Sequence, residues 1–412
     1  MTPRSSIVNV AGATIFVAAA GYAVLVIAAR ALSPERYLEF SVFWAALYLA
    51  VGAIFGIQQE TTRAVKTQRS EASSLVALRG TRAISSGLVI GMIVGVCFAA
   101  SSLLWANAVF GQLAPFYVVL ITGGIVLYSG HAATAGALAG AADWRHYSRL
   151  LVVESGIRLL FVGVVAVVAL SVPGLAGAVV AAMATWLAFL SARRIRAAAA
   201  SRLDAPLGSS ARRSLQAVVA SFASAIIVTG YPLILAAIAS GEDQALLARI
   251  ILVVTLTRAP IMLPLNAFLG MIVSRFVDQR SHGVGTVLRP MVYVFLSSLG
   301  LGFVAMLIGR PLLTFVFGAE YDINAYFIGG ATIAAGFVGV ITVSGAATLA
   351  RGFHLAYTVG WFLAAATTCV ILMVPLPIEE RVLLSLLTGP ILGALLHVSA
   401  LTRRPRLVAD RG

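Results

Sequence analysis

Charge is scarce in this chain. Asp, Glu, Lys and Arg make up 11% of its 412 residues, against about 25% in a soluble globular protein, which excludes a soluble domain. Lysine is nearly absent: Lys66 stands beside 28 arginines. Cysteine is limited to Cys97 and Cys369. Both fall in apolar stretches, so no disulfide framework is expected and each reads as a small buried hydrophobe. Long polar segments are missing as well. The longest connections, about 60–83 and 192–214, are too short to fold a catalytic domain. There is no Walker A loop, no His-Glu-x-x-His and no Cys/His cluster at metal spacing. Nucleotide hydrolysis and metal-dependent catalysis therefore have no signature, no cofactor is implied, and the chain reads as a non-enzyme.

What the chain has instead is apolar length. Hydrophobic residues make up 60% of it, and a bilayer core of about 30 Å takes roughly 20 apolar residues per helical crossing. Twelve runs meet that need: about 7–29, 38–57, 84–105, 116–139, 150–170, 174–191, 215–239, 246–272, 290–308, 325–348, 357–374 and 382–401. Membrane-crossing strands are about 9–11 residues and alternate in polarity, so these runs predict helices. The first run is too long for a secretory h-region and leads into "RALSPERY" rather than a small-residue cleavage site, so it reads as a retained span.

The net charge of +14 is not a nucleic-acid surface, because its distribution follows membrane topology. With a cytoplasmic N-terminus, 22 of the 29 Lys and Arg fall in cytoplasmic segments, 4 in external ones and 3 inside spans. Glu35, Glu39, Glu242, Asp243, Glu320, Asp322, Glu379 and Glu380 are all external. Both termini are thus expected in the cytoplasm. The basic, Ala/Ser-rich segment "RRIRAAAASRLDAPLGSSARR" divides the spans six and six. The expected organisation is a lobe at 1–192, a cytoplasmic linker at 193–214, a second lobe at 215–402 and a cytoplasmic tail at 403–412. The halves echo each other. "TTRAVKTQRS" follows the second span and "VSRFVDQRS" the eighth; "GALAGAADWRHY" ends the fourth and "GAATLARGFHLAY" the tenth. That pattern predicts a parallel repeat about an axis along the membrane normal. Pro232, Pro260 and Pro264 are expected to place breaks in the seventh and eighth spans.

Several stretches point to one family. "GYAVLVIAARALSPERYLEFSVFWAAL", "GALAGAADWRHYSRLLVVESGIRLL" and "RPLLTFVFGAEY" stand in the order seen in polysaccharide-exporting flippases of the multidrug/oligosaccharidyl-lipid/polysaccharide (MOP) superfamily, which the chain resembles. Leu38 departs from the pattern, standing where many relatives have glycine. The resemblance implies an all-α polytopic MATE/MOP-like fold of twelve helices in a bacterial plasma membrane. It also implies alternating-access transport of a polyprenyl-pyrophosphate-linked, anionic saccharide from the inner to the outer leaflet. Implied partners are membrane lipid, glycosyltransferases or a polymerase of the same pathway, and a proton or sodium gradient.

The residues were read for their fit to such a substrate. A charge in the bilayer interior costs at least about 2.5–3.5 kcal/mol, yet Arg158, Arg249, Arg258 and Glu154 all lie within spans. The surplus is positive, which suits a pyrophosphate, since guanidinium donates to phosphate oxygens in pairs. Arg258, with Thr255 and Asn266 near its face, is the first candidate for substrate binding; an interhelical pin is its alternative. Arg249 lies about half a helical turn around from Arg258 and reads as snorkelling to the external interface, with binding as the lesser reading. Glu154 and Arg158 have i, i+4 spacing and should pair, either as structure or as a switch in which phosphate takes Arg158 and Glu154 accepts a proton. His131 in the fourth span is a coupling candidate beside the plainer reading of a packing histidine. Glu60, Arg63 and Arg275 are candidate contacts at the cytoplasmic mouth, or ordinary topogenic charge. Arg30, in the family-like turn at the external end, is expected to cap a helix C-terminus. Two other readings stay open: a cation-coupled drug or metabolite antiporter, which needs acidic cavity residues, and a non-transporting scaffold for envelope enzymes.

Overall fold

A backbone surrounded by acyl chains must bond to itself, and uninterrupted apolar runs can do so only as helices. A computed structural model describes the backbone of residues 3–70, 80–278 and 285–402, with the side chains of 3–8, 266–275 and 277–278 left out. Among the described residues the chain is all helix and turn, apart from one isolated bridge between Arg82 and Arg202. Twelve helices are long and apolar enough to cross a membrane: Asn9–Ala31, Pro34–Ser70, Ala83–Ser102, Ala106–Gly140, Trp144–Val168, Val172–Phe189, Leu207–Val228, Gln244–Leu265, Gly285–Phe317, Ala325–Ala350, His354–Leu372 and Ile378–Thr402. They match the twelve expected runs in number and order.

Two expectations are corrected. The seventh run does break, with helix Leu207–Val228 giving way at Thr229–Gly230 to a short helix, Tyr231–Ile238, that carries Pro232 in its first turn. Pro260 and Pro264, by contrast, lie inside one continuous helix, Gln244–Asp278. Each proline forfeits one backbone bond, and in lipid the bonds on either side keep the helix whole. Cys97 is exposed rather than buried. Apolar residues on a membrane helix point to acyl chains as readily as to protein, so burial does not follow from apolarity. Arg30 does cap a helix C-terminus, that of Gly285–Phe317, where its Nη1 donates to the carbonyls of Phe315 and Val316.

By contacts the chain divides into two units, Met1–Ile251 with Thr314–Asp322, and Leu252–Leu313 with Ile323–Gly412. This division falls inside the helix Gln244–Asp278, and the 193–214 segment lies within the first unit. That segment forms a short helix, Arg193–Ala199, and then bonds to the start of the third span through Leu203 N to Thr81 O at 2.8 Å and Thr81 N to Ala205 O at 3.1 Å. The seventh span lies with the first unit because Gly56 lets it approach the second: a Cβ there would sit 2.4 Å from the Ala217 carbonyl carbon. The loop Thr314–Asp322 joins the same unit through Arg30 and through Tyr321, whose ring meets Tyr37 edge-on at 5.9 Å. Burial pushes the Tyr321 phenol well above its usual range and keeps it neutral. Two of the family-like motifs, "RALSPERY" and "TFVFGAEY", therefore pack on each other.

The expected repeat has a conformational counterpart. The fourth span ends with Ala142 in the left-handed region at φ 57, and Asp143 N–H bonds back to Leu138 O at 2.9 Å. The tenth ends with Gly352 at φ 85 and Phe353 N–H bonding to Thr348 O at 2.8 Å. Both are six-residue closures of the type that usually needs glycine. Ala142 bears the strain that Gly352 avoids.

Two predictions follow from these turns and contacts. Ala142→Gly should raise stability by about 1 kcal/mol, and Gly352→Ala should lower it by about as much, read as opposite shifts in thermal unfolding in detergent. Gly56→Leu should cost about 1–3 kcal/mol through overpacking. Gly123→Ala, inside a helix and with nothing within 4 Å of the added carbon, should raise stability by up to about 1 kcal/mol rather than lower it.

Candidate functional site

The fifth span begins at Asp143, whose carboxylate accepts the His146 N–H and closes the first turn. Further along, the helix carries Glu154, Ser155 and Arg158 into the first unit, none more than 4% exposed. Glu154 Oε1 lies 3.4 Å from Arg158 Nη1. Ser155 bridges the pair: its hydroxyl donates to Glu154 Oε2 at 3.2 Å and accepts from Arg158 Nη2 at 3.1 Å. The second span supplies the facing wall. Arg158 Nη1 donates to the Tyr48 hydroxyl, and the guanidinium carbon stands 5.9 Å from the Trp44 ring and 5.6 Å from the Tyr48 ring. Those rings stack at 4.3 Å with 26° between their planes, which their i, i+4 spacing allows. A desolvated guanidinium over aromatic faces gains about 2 kcal/mol or more, and this offsets part of the cost of burial.

The cluster is tight but incomplete. Among the described residues, Arg158 Nε and Glu154 Oε1 have no hydrogen-bond partner. His131 on the fourth span is fully buried and stacks on Tyr128 at 5.1 Å and 14°. Neither of its ring nitrogens has a hydrogen-bond partner. It lies close enough to Glu154 and Arg158 to feel both charges. The contrast with His397 in the second unit is instructive. That ring is equally buried, but its Nδ1 meets Ser344 Oγ at 3.0 Å and its Nε2 meets the Tyr357 carbonyl at 3.1 Å. His397 is a satisfied packing histidine. His131 is a basic site left open beside an ion pair.

At the basic end of the second span the charges are already committed to one another. Arg63 grips Glu60 with two bonds, at 2.6 and 2.8 Å, and reaches Asp204 at 2.9 Å. Asp204 also takes Arg213 at 3.1 Å. Both carboxylates are about nine-tenths covered and Arg63 is 43% exposed, so this network pins the 193–214 segment to the second span. Arg258 is 7% exposed and belongs to the second unit, where Thr255 on the same helix is half-buried. Arg249 is half-buried in the first unit and near enough to Glu35 to act on it electrostatically. The side chains of Asn266 and Arg275 lie outside the described residues.

The structure thus brings together Glu154, Arg158 and His131 among the sequence-selected residues, and it leaves Glu60 and Arg63 in a separate pair. Trp44, Tyr48, Tyr128 and Ser155 were missed. The readable signal was an aromatic pair at i, i+4 spacing in the span opposite a buried arginine.

No family model matches the chain. Its fold is that of MOP superfamily transporters. It superposes on the outward-facing conformation of a multidrug resistance MATE family transporter with a TM-score of 0.65 at 16% identity, over 97% of each chain. A MOP superfamily transporter from Pyrococcus furiosus, whose binding pocket is described as reversed in polarity, gives 0.66 at 16% identity over 98% of this chain and 97% of that one. Sequence then narrows the class. The chain is 35% identical over 407 residues to the uncharacterized protein Rv1510 of Mycobacterium tuberculosis, covering 98% of this chain and 93% of that one. It is 34% identical over 403 residues to the uncharacterized protein Rv3630 of the same species, covering 97% and 92%. The chain belongs to the family of these mycobacterial proteins.

The ion pair yields a test of its own. Arg158→Met or Glu154→Leu alone should each cost about 3–5 kcal/mol, because each strands a buried charge. The double variant Glu154→Leu/Arg158→Met should recover most of that loss. Thermal unfolding of the three variants in detergent reads the coupling directly.

Proposed function

We propose that the protein is a transporter of the bacterial plasma membrane that moves a polyprenyl-pyrophosphate-linked saccharide from the inner to the outer leaflet by alternating access. The observation that carries this reading is the sign of the enclosed charge. Apart from Glu60, which is paired with Arg63 at the basic end of the second span, the buried charged side chains among the described residues are Arg158, Arg258 and Glu154, a surplus of one positive charge. An anionic headgroup neutralises such a surplus, whereas a cationic drug adds to it. The fold does not decide the matter, since one structural neighbour is described by a binding pocket of reversed polarity.

In this reading Arg158 is the switch. Phosphate oxygens compete with Glu154 for the guanidinium, and the aromatic floor of Trp44 and Tyr48 keeps it in place while partners exchange. Glu154, deprived of its cation, then accepts a proton, and His131 is the adjacent base with both nitrogens open. Arg258 plays the corresponding phosphate-holding role in the second unit. A second reading, the cation-coupled antiporter, draws on the same Glu154 and His131 as its proton-carrying pair.

Proteoliposomes separate the two. A labelled polyprenyl-pyrophosphate disaccharide should become accessible to an outside reagent at a rate that falls at least about tenfold in Arg158→Gln and Arg258→Gln, the loss of one charge-assisted contact each. A cationic dye should not accumulate. Dye accumulation driven by a proton gradient, with no movement of the saccharide, would replace the first reading with the second.

A further inference from the structure

A second feature of the first unit lies apart from the Arg158 cluster. Where the N-terminal end of the fifth span packs on the first span there is a cavity of about 560 Å³, lined by Arg145, Ser148, Arg149 and Val152 from one helix and Asn9 and Phe16 from the other. Arg145 and Arg149 are exposed, and neither makes an ion pair or hydrogen bond with a described residue. The acid in the same turn, Asp143, is committed to His146 Nδ1 at 2.9 Å. Ser148 is 8% exposed, and its hydroxyl has no hydrogen-bond partner among the described residues. Buried hydroxyls are ordinarily satisfied. Here an orphan donor and two guanidinium groups without a partner among the described residues share the first two turns of a helix, and the backbone at its first turn also favours negative charge.

The wall beyond this polar end is apolar and open. The same face of the fifth span continues through Gly156, Leu159, Leu160 and Gly163 as a shallow trench. An added Cβ on Gly156 or Gly163 would meet nothing within 4 Å, so these glycines hollow the surface without packing against another helix. From Arg149 to Leu160 the helix rises roughly 16 Å at 1.5 Å per residue, about half of a 30 Å hydrocarbon core. The trench runs on to Val168, and its half nearer the arginines, which spans one leaflet, joins a cationic, donor-rich head to match a phospholipid lying along the helix.

We infer that this groove binds an anionic phospholipid of the surrounding bilayer. Arg145, Arg149 and the Ser148 hydroxyl take its phosphate, and the Val152-to-Leu160 face takes an acyl chain. Charge complementarity selects the occupant: a zwitterionic lipid carries its own cation to the guanidinium groups, and free phosphate leaves the trench empty. The inference does not depend on the transported substrate.

Native mass spectrometry of the full chain in detergent tests it, with phosphatidylglycerol and phosphatidylcholine added at equal concentration. The wild-type chain should retain phosphatidylglycerol preferentially. Arg145→Gln/Arg149→Gln should reduce that preference roughly tenfold, as expected for charge-assisted phosphate contacts, while Arg212→Gln, another exposed arginine, should not. Gly156→Phe fills the trench without touching a charge or a neighbour, and it should lower retention with folding intact by thermal unfolding. Equal retention of both lipids, equal loss in Arg212→Gln, or unchanged retention in both groove variants would overturn the inference. So would displacement of the lipid by millimolar inorganic phosphate, or a stronger preference for a polyprenyl phosphate in the same competition.

Discussion

A guanidinium enclosed by helices has no water to fall back on, and the first unit is organised around meeting that demand for Arg158. The charge needs a counter-ion, donors need acceptors, and the flat face needs a surface. Glu154, Ser155 and Tyr48 answer the first two, and the stacked Trp44 and Tyr48 rings answer the third. Satisfying the group this way fixes the fifth span against the second at one register. Tyr48 also ties in the seventh span, because Thr229 Oγ1 donates to its carbonyl at 3.2 Å beside the break at Gly230. The same residues that neutralise the charge therefore hold three spans together.

A buried ion pair is weak evidence for stability, since apolar residues of similar volume often do as well or better. The asymmetry of the repeat sharpens the point. The closures at Ala142 and Gly352 occupy the same place in the two halves. Counting on from each by equal steps sets Glu154 and Arg158 opposite Ala364 and Thr368. Thr368 donates to the Ser385 carbonyl at 3.2 Å, and no charge stands at that place. The second half thus closes at that place without an ion pair, and the Glu154–Arg158 pair is a feature of the first half alone among the described residues. An open histidine beside it in one half, and a satisfied one in the other, show the same asymmetry.

What could be read from sequence followed the range of the forces involved. The spans were legible because each depends on its own 20 or so apolar residues, and lipid leaves helix as the one outcome. The Glu154–Arg158 pair was legible for the same reason: both partners lie one turn apart on one helix. Contacts between helices were not. Nothing in "FWAALYLA" says that its aromatic pair will floor an arginine in the fifth span, and Arg30 gave no sign that its carbonyl partners stood at Phe315 and Val316. Cys97 shows a separate blind spot. In a membrane protein both the interior and the outer surface are apolar, so composition cannot say which way a residue faces.

The two polar features of the fifth span differ in how they hold charge, and that difference bears on what each could do. At Arg158 every group is enclosed and nearly every donor is assigned, so a ligand arriving there must displace an existing partner and leave Glu154 to be neutralised. Binding at such a place is an exchange, and exchange is what couples occupancy to a change of state, since a ligand moves an equilibrium only through its differential affinity for the two states. At Arg145 and Arg149 the cations are exposed and uncommitted, so a phosphate arriving there displaces only water. Such a place holds a ligand without altering the partners around it. One helix therefore carries an arginine that faces Glu154 in its middle and, at its N-terminal end, two arginines with no ion-pair partner among the described residues.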